Sequence, residues 1–302
     1  MPSETDITPA ADAPVTVVTG ANSGIGRATA IHLASVGHQV IGTVRSLDRA
    51  DKLLALADGA GVRIELAVCD VADDDSVATG FAEILERAGR VDHLVNNAGV
   101  GGNATVEETT PEMFLRVMDV NLCGAIRASR AVLPQMRERG SGTIVNITSV
   151  TGRIGVPAQA PYVASKWALE GASEELALEL APFGIRVAII EPGITKSAIF
   201  AKNVDAPGST GAYDDHYRRM FRFYAVGLEH ATDPTEVGRL VEHAITTDEP
   251  QLRYAVSWGG EEMSSRHDRI DPADWVALGA SADDDEYDRR FGELFDLDLS
   301  DG

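Results

Sequence analysis

The chain alternates between two hydrophobic periods. Short runs rich in β-branched residues recur at Val15–Val18, Val40–Val44, Ile64–Val68, His93–Asn96, Thr143–Ile147, Arg186–Ile190 and Leu252–Ser257. Between them lie segments of helical period, at Gly24–Ser35, Asp73–Ala88, Pro111–Arg139, Pro161–Pro182 and Pro234–Thr246. Near-continuous apolar strands need cover on both faces, and helices of this length supply it as crossovers between parallel neighbours. The alternation therefore predicts an α/β fold, a doubly wound parallel sheet of about seven strands with helices on both sides. No repeat or low-complexity linker divides residues 14–258, which read as one domain. Three segments stand outside the pattern. Residues 1–13 read as a frayed arm, about 197–230 as an insertion placed to act as a lid, and 259–302 as a C-terminal extension.

Charge bears on partners. The chain has 302 residues, with 26 Lys+Arg against 47 Asp+Glu, a formal charge of −21. That excess repels polyanions and speaks against nucleic acids and anionic membranes as partners. It is uneven: Glu261 to Gly302 holds fourteen acids against four arginines, a net −10. With 44% apolar residues the chain can bury a core, so wholesale disorder is excluded. The acidic N-terminus lacks the basic region of a signal peptide. No apolar run reaches the ~18–20 residues that span a bilayer. Cys69 and Cys123 each sit in an apolar stretch and read as buried free thiols, which points to the cytoplasm. No metal-ligand spacing occurs.

Strand one runs straight into Thr19-Gly20-Ala21-Asn22-Ser23-Gly24-Ile25-Gly26 and a helix. Glycines there permit a sharp turn and let a pyrophosphate approach the helix N-terminus. After the first strand of a βαβ unit, this is the context of a Rossmann-type dinucleotide site. A carboxylate at the end of strand two would favour NAD, but the chain reads Gly42-Thr43-Val44-Arg45-Ser46. Arg45, with Ser46, suits a 2′-phosphate and favours NADP(H) over NAD(H); the alternative is a solvated surface arginine. Asp70 and Val71, after strand three, are placed to meet the adenine. Asn97-Ala98-Gly99, after strand four, forms a close-approach turn beside the ribose.

Tyr162 and Lys166 stand at i and i+4 on one predicted helix, about 6 Å apart along its axis. Ser149 lies 13 residues before Tyr162, just after a strand, and Asn121 lies within the long preceding helix. The glycine-rich turn Thr19–Gly26, Asn96-Asn97-Ala98-Gly99, Asn121, Ser149, Tyr162-Val163-Ala164-Ser165-Lys166 and Pro192-Gly193 occur in that order. The set resembles the short-chain dehydrogenase/reductase family over about residues 14–258.

The resemblance implies an enzyme that moves a hydride between NADP(H) and a carbonyl or alcohol. Tyr162 would be the general acid or base. Lys166 would lower the pKa of Tyr162, by as much as ~3 units if an ammonium ~4 Å away contributes ~4 kcal/mol, and would also hold the nicotinamide ribose. Ser149 would polarise the substrate oxygen, and Asn121 would hold a water linking Lys166 to solvent. Pro192, Gly193, Ile194, Thr195 and Ser197 would meet the carboxamide; serine at 197, where the family has threonine, is a mild departure. Each assignment has a plain alternative: Ser149 as a cap, with Thr148 in its role, and Asn121 as a buried amide.

For the substrate, the stripe Tyr213, Tyr217, Met220, Phe221 and Tyr224 suggests an aromatic lid after the hinge-like 207–211. Phe200 joins it, and Val150, Ile154 and Val156 are the expected opposite wall. Such a surface suits a bulky, fairly apolar ketone, aldehyde or alcohol; a helix packed on the core is the competing account. Helices 111–139 and 161–182 imply a homodimer or homotetramer by family analogy. A catalytically idle NADP(H)-binding redox sensor is the competing function. The tail pairs Trp275, Val276, Phe291, Leu294 and Phe295 with acids, as two short helices docked on the substrate side or a neighbouring subunit, or as a solvated end.

Overall fold

A computed structural model describes residues 12–197, 208, 210–266 and 269–299. Its centre is one parallel seven-stranded sheet in the order β3-β2-β1-β4-β5-β6-β7. The strands are β1 Val15–Val18, β2 Gln39–Val44, β3 Ile64–Val68, β4 His93–Asn96, β5 Gly142–Ile147, β6 Ile185–Pro192 and β7 Arg253–Val256. The order reverses between β1 and β4, where Val17 pairs with Ile41 on one side and Leu94 on the other. Such a reversal opens a crevice at the carboxyl ends of the strands.

Two apolar layers flank the sheet. On one face Phe81 and Ile84 of helix α3 (Asp74–Ala88) and Val132 and Met136 of the helix over Gly124–Arg139 are buried against Val17, Leu94 and Ile144. On the other, Ala30 and Leu33 of α1 (Gly24–Ser35) and Val237 and Val241 of the helix Pro234–Thr246 pack on Val18, Val95 and Val145. Several helices begin on caps that the sequence supplies. Asp73 accepts from Ser76 N at 2.7 Å, and Thr110 from Met113 N at 3.2 Å just ahead of Pro111.

Two features depart from the sequence reading. A helix, α2, spans Asp51–Gly59 between β2 and β3. It escapes notice because only Leu53 and Ala57 face the core, while Leu54 and Leu56 are exposed and blur the period. The long segment 111–139 is α4 (Pro111–Met118) and α5 (Gly124–Arg139) joined by a turn of π-helix over Asp119–Cys123. Helix α6 (Ala160–Leu180) then carries Tyr162 and Lys166.

Past β6, helix α7 covers Asp214–Glu229 and α8 is the helix Pro234–Thr246 already described. The acidic end forms α9 (Gly260–Arg266), α10 (Pro272–Gly279) and α11 (Asp284–Phe295). Met263, Leu278, Tyr287, Phe291 and Phe295 bury themselves with Val150, Ile194, Phe223 and Val226, so the tail's aromatics lie on the sheet's functional end. Phe291 and Phe295 pack in a tilted pair with ring centroids 4.7 Å apart. Among the described residues no helix is long and apolar enough to cross a membrane.

Candidate active site

Neighbouring strands build the glycine turn after β1. Thr19 Oγ1 accepts from the backbone N–H of Asn97 and of Ala98, each at 3.0 Å. Asn97 Nδ2 donates to Thr19 O at 2.9 Å, which ties β1 to β4 at the crevice. A Cβ on Gly26 would lie 2.2 Å from Asn97 Nδ2 and 2.7 Å from Gly20 O, so only glycine lets α1 begin this close to the turn. Ser23 precedes α1 in an extended conformation and makes no side-chain cap, leaving the first-turn N–H groups for an anion.

A cleft of about 540 Å³ follows the strand ends. Gly20, Asn22, Ser23, Gly24, Ile25, Arg45, Asp70, Val71, Asn97, Ala98, Gly99, Pro192, Gly193, Ile194, Thr195 and Ser197 all line it. Gly26 and Ser46 do not. Gly26 packs behind the turn, and the Ser46 hydroxyl turns to Asp48. Arg49, which sequence reasoning missed, joins Arg45 at the cleft because the short turn Leu47–Arg49 folds the chain back on itself. The loop after β6 runs tight against β7: a Cβ on Gly193 would sit 2.0 Å from Trp258 O. Ser197 reaches across to the glycine turn, 3.2 Å from where a Gly24 Cβ would be. Uncapped amides, a turn only glycine fits and two arginines at the β2 end together suit a phosphorylated dinucleotide. Cys69 also lines the cleft, but burial above all, with Asp70 adding, pushes its thiol up to about 11 and leaves it unreactive.

Ser149, Tyr162 and Lys166 come together at the middle of the cleft. Ser149 Oγ donates to Pro192 O at 3.3 Å and serves two further ends. Its Oγ accepts from Thr151 N at 3.2 Å, capping the turn Val150–Gly152, and it hydrogen-bonds the Tyr162 hydroxyl, which favours the phenolate. Thr148 also lines the cleft, but its Oγ1 donates to Ile190 O at 2.9 Å. Burial outweighs Ser149 and pushes Tyr162 up to about 12. Burial also brings Lys166 down to about 8, with Glu170 opposing it. Lys166 Nζ donates to Ile147 O at 2.9 Å and lies 5.7 Å from the Tyr162 ring centroid. The expected lowering of Tyr162 by Lys166 is thus reversed: desolvation of both groups dominates, and the phenol keeps its proton.

Asn121 does not face the cleft. Its Oδ1 accepts from Val100 N at 2.8 Å, and its Nδ2 donates to Val100 O and Ser165 Oγ, each at 2.9 Å. The side chain therefore clamps the loop after β4 to α6, which is the buried-amide alternative.

The substrate side needs the largest revision. Val150 lines the cleft, whereas Ile154 and Val156 belong to the apolar cluster behind it. Phe200 lies outside the described residues. Tyr213, Tyr217 and Phe221 are not brought to the cleft. Tyr217 is buried with Ala158 and Met220, its hydroxyl donating to Glu108 at 2.7 Å, and Tyr213 donates to Glu107 at 2.5 Å. Phe221 is half-exposed. The residues of α7 that do line the cleft are Phe223 and Tyr224, with Gln159 and Thr151 alongside. Tyr224 donates to Asn103 Oδ1 at 3.1 Å.

Comparison with known proteins gives the family. The short chain dehydrogenase family model matches residues 14–207. Mouse 17-beta-hydroxysteroid dehydrogenase type 1 (Mus musculus) is 39% identical over 254 residues, 80% of this chain and 73% of that protein. A short-chain dehydrogenase from Streptomyces avermitilis superposes with TM-score 0.77 at 36% identity, covering 90% of this chain and 99% of that one. The actinorhodin polyketide ketoreductase, solved with NADPH, gives TM-score 0.70 at 35% identity over 79% and 92% of the two chains. The chain belongs to the short-chain dehydrogenase/reductase family. It is an NAD(P)-dependent oxidoreductase acting between alcohols and carbonyl compounds.

Proposed function

We propose that the protein interconverts a bulky, fairly apolar ketone or aldehyde and its alcohol with NADP(H), using Tyr162 as general acid and base. The observation that carries this reading is the buried trio: Ser149 bonded to a Tyr162 raised to about 12, beside a Lys166 lowered to about 8. The cleft residues would hold a nicotinamide dinucleotide, which would supply or accept the hydride when bound. The glycine turn and the first-turn amides of α1 would hold its pyrophosphate, and Arg45 and Arg49 would hold a 2′-phosphate. Ser149 Oγ donates to the substrate oxygen. Tyr162 passes its proton to that oxygen as the alcohol forms, and Lys166, close to neutrality in pKa, returns a proton to the phenolate. Phe223, Tyr224 and Val150 exclude water and set the shape of the acceptable ketone. The aromatic wall and the mouse steroid dehydrogenase likeness both favour a large hydrophobic substrate.

The same reading assigns residues 14–258 to the catalytic unit, 197–230 to the lid and 259–302 to an extension backing the substrate wall. It makes the enzyme a homodimer or homotetramer, supported by Leu115, Ile126, Trp167 and Leu178, which are exposed on α4, α5 and α6. It places the enzyme in the cytoplasm, supported by two free cysteines. The test is a panel of bulky ketones with NADPH, followed by loss of NADPH absorbance, for the wild type and Tyr162→Phe. The variant keeps NADPH affinity and loses ~10²–10⁴-fold in turnover. Undiminished turnover in Tyr162→Phe overturns the mechanism. Tight NADPH binding without turnover of any carbonyl turns the reading to a sensor.

A further inference from the structure

We infer that Glu170, held ionised by Arg253, is a positioning residue that keeps Lys166 charged and in place from behind the cleft. This rests on the reading of Lys166 as part of the proton path. Tyr162, Lys166 and Glu170 fall at i, i+4 and i+8 on α6, so they form one line, each about 6 Å along the axis from the last. Tyr162 and Lys166 line the cleft; Glu170 is buried, with 4% of its surface exposed. The turn Val150–Gly152 closes over the Lys166–Glu170 step. A Cβ on Gly152 would lie 2.9 Å from Glu170 Cγ and 3.1 Å from Lys166 O.

Behind Glu170 stands a second buried carboxylate, Glu191 of β6, 2% exposed. Arg253 of β7 binds both: its Nε donates to Glu170 Oε2 at 3.0 Å and lies 3.3 Å from Glu191 Oε1. Ser264 Oγ donates to Glu191 Oε2 at 2.7 Å, and the outer arm of Arg253 reaches Glu174 at the surface. Two buried carboxylates face one partly exposed guanidinium. Buried charges persist only when compensated, and Lys166, one helical turn from Glu170, is the cation whose charged form Glu170 favours. Tyr162 lies beside Lys166 on its own helix, and Arg45, Arg49, Asp70 and Arg116 are the charged groups elsewhere along the cleft.

The electrostatics agree in sign. Burial lowers Lys166 and Glu170 alone opposes it. Burial raises Glu170, Glu191 adds to that, and Thr148 and Arg253 oppose it. Removing the Glu170 charge thus lowers the Lys166 pKa. Removing Arg253 lets Glu170 take a proton, with the same result at Lys166.

The chain has four lysines, Lys52, Lys166, Lys196 and Lys202, so a ¹⁵N-lysine side-chain NMR titration can follow Lys166 directly, assigned by Lys166→Met. Glu170→Gln and Arg253→Gln each shift its midpoint acid-ward by about one pH unit. The double variant shifts it no further, and Glu170→Asp restores most of it. The alkaline limb of kcat/KM for ketone reduction moves with the NMR midpoint. Arg253→Gln leaves Glu170 itself intact and keeps the test available if Glu170→Gln does not fold. An unmoved midpoint in either folded variant overturns the inference. A midpoint that moves while the kinetic limb stays put, or survives in Lys166→Met, leaves the Glu170–Lys166 coupling standing and overturns the catalytic reading of Lys166.

Discussion

Asp284→Asn is the variant that tests whether the acidic tail shapes the substrate wall. Asp284 opens α11 and meets three arginines of α7: Arg218 at 2.7 Å, Arg219 at 3.3 Å and Arg222 at 3.4 Å. Arg219 has only 3% of its side chain exposed. It also donates to Ser281 O at 3.0 Å and lies 4.7 Å over the Tyr287 ring. The arginines, Arg218 foremost, hold the Asp284 carboxyl down to about 2 from 3.8. At ~1.4 kcal/mol per unit that is ~2.5 kcal/mol. The Asp284 side chain is 23% exposed and Arg218 is 48% exposed, so solvent screening reduces it to ~1–1.5 kcal/mol. The folded pKa lies below the unfolded one, so this stabilisation is complete above pH ~4 and lost as pH falls toward ~2. Asp284→Asn should therefore lower Tm by about 2 °C at pH 7. The gap should narrow in 1 M salt, where screening acts within ~3 Å, and close in acid. Phe223 and Tyr224 ride on the same helix, so KM for a bulky ketone should rise several-fold while kcat holds. An unchanged Tm and an unchanged KM together would refute the clamp.

Arg45→Ala and Arg49→Ala should each weaken NADPH binding at least ~10-fold while barely changing NADH binding, as read by fluorescence titration. Equal losses for both cofactors would make them surface charges. Gly26→Ala should cost ~1–3 kcal/mol by urea denaturation, because its methyl meets Asn97 Nδ2 and breaks the Asn97–Thr19 tie. His93, brought down to about 4 by burial and by His38, predicts acid sensitivity. The unfolded chain takes up that proton first, so stability falls from pH 6.5 to 4 by up to ~3 kcal/mol. His93→Phe should flatten that slope in thermal melts; an unchanged slope would place the sensitivity elsewhere.

The sheet and most helices are legible because burial imposes local periods. Leu33, Ile144 and Val241 are spaced as they are because they sit between a sheet and a helix layer. The ligand turn is legible because its residues lie close in sequence: Gly20 and Asn22 to Ile25 face one cleft. What fails is phase against distant partners. In α7 a stripe through Tyr213, Tyr217 and Phe221 looks like a ligand wall. Yet Tyr213 and Tyr217 are anchored by Glu107 and Glu108, more than a hundred residues away. Nothing local could rank Phe223 over Phe221. The proton affinity of Tyr162 is hidden likewise, since desolvation depends on the assembled walls and the i+4 spacing reveals only the nearby ammonium.

The π turn at Asp119–Cys123 makes the number of residues there matter as much as their kinds. Five residues under-wound to the π pitch set the helix back by roughly one 100° step. With that step, Val117 before the turn and Gly124, Ala128 and Val132 after it are all buried. Losing any single residue from 119–123 would restore regular winding and swing the whole of α5 about a quarter turn. Val132 and Met136 would leave the core together, and Asn121 would lose its grip on Val100. Within this helix chain length is a specification, and no substitution elsewhere on the helix can repay a missing residue.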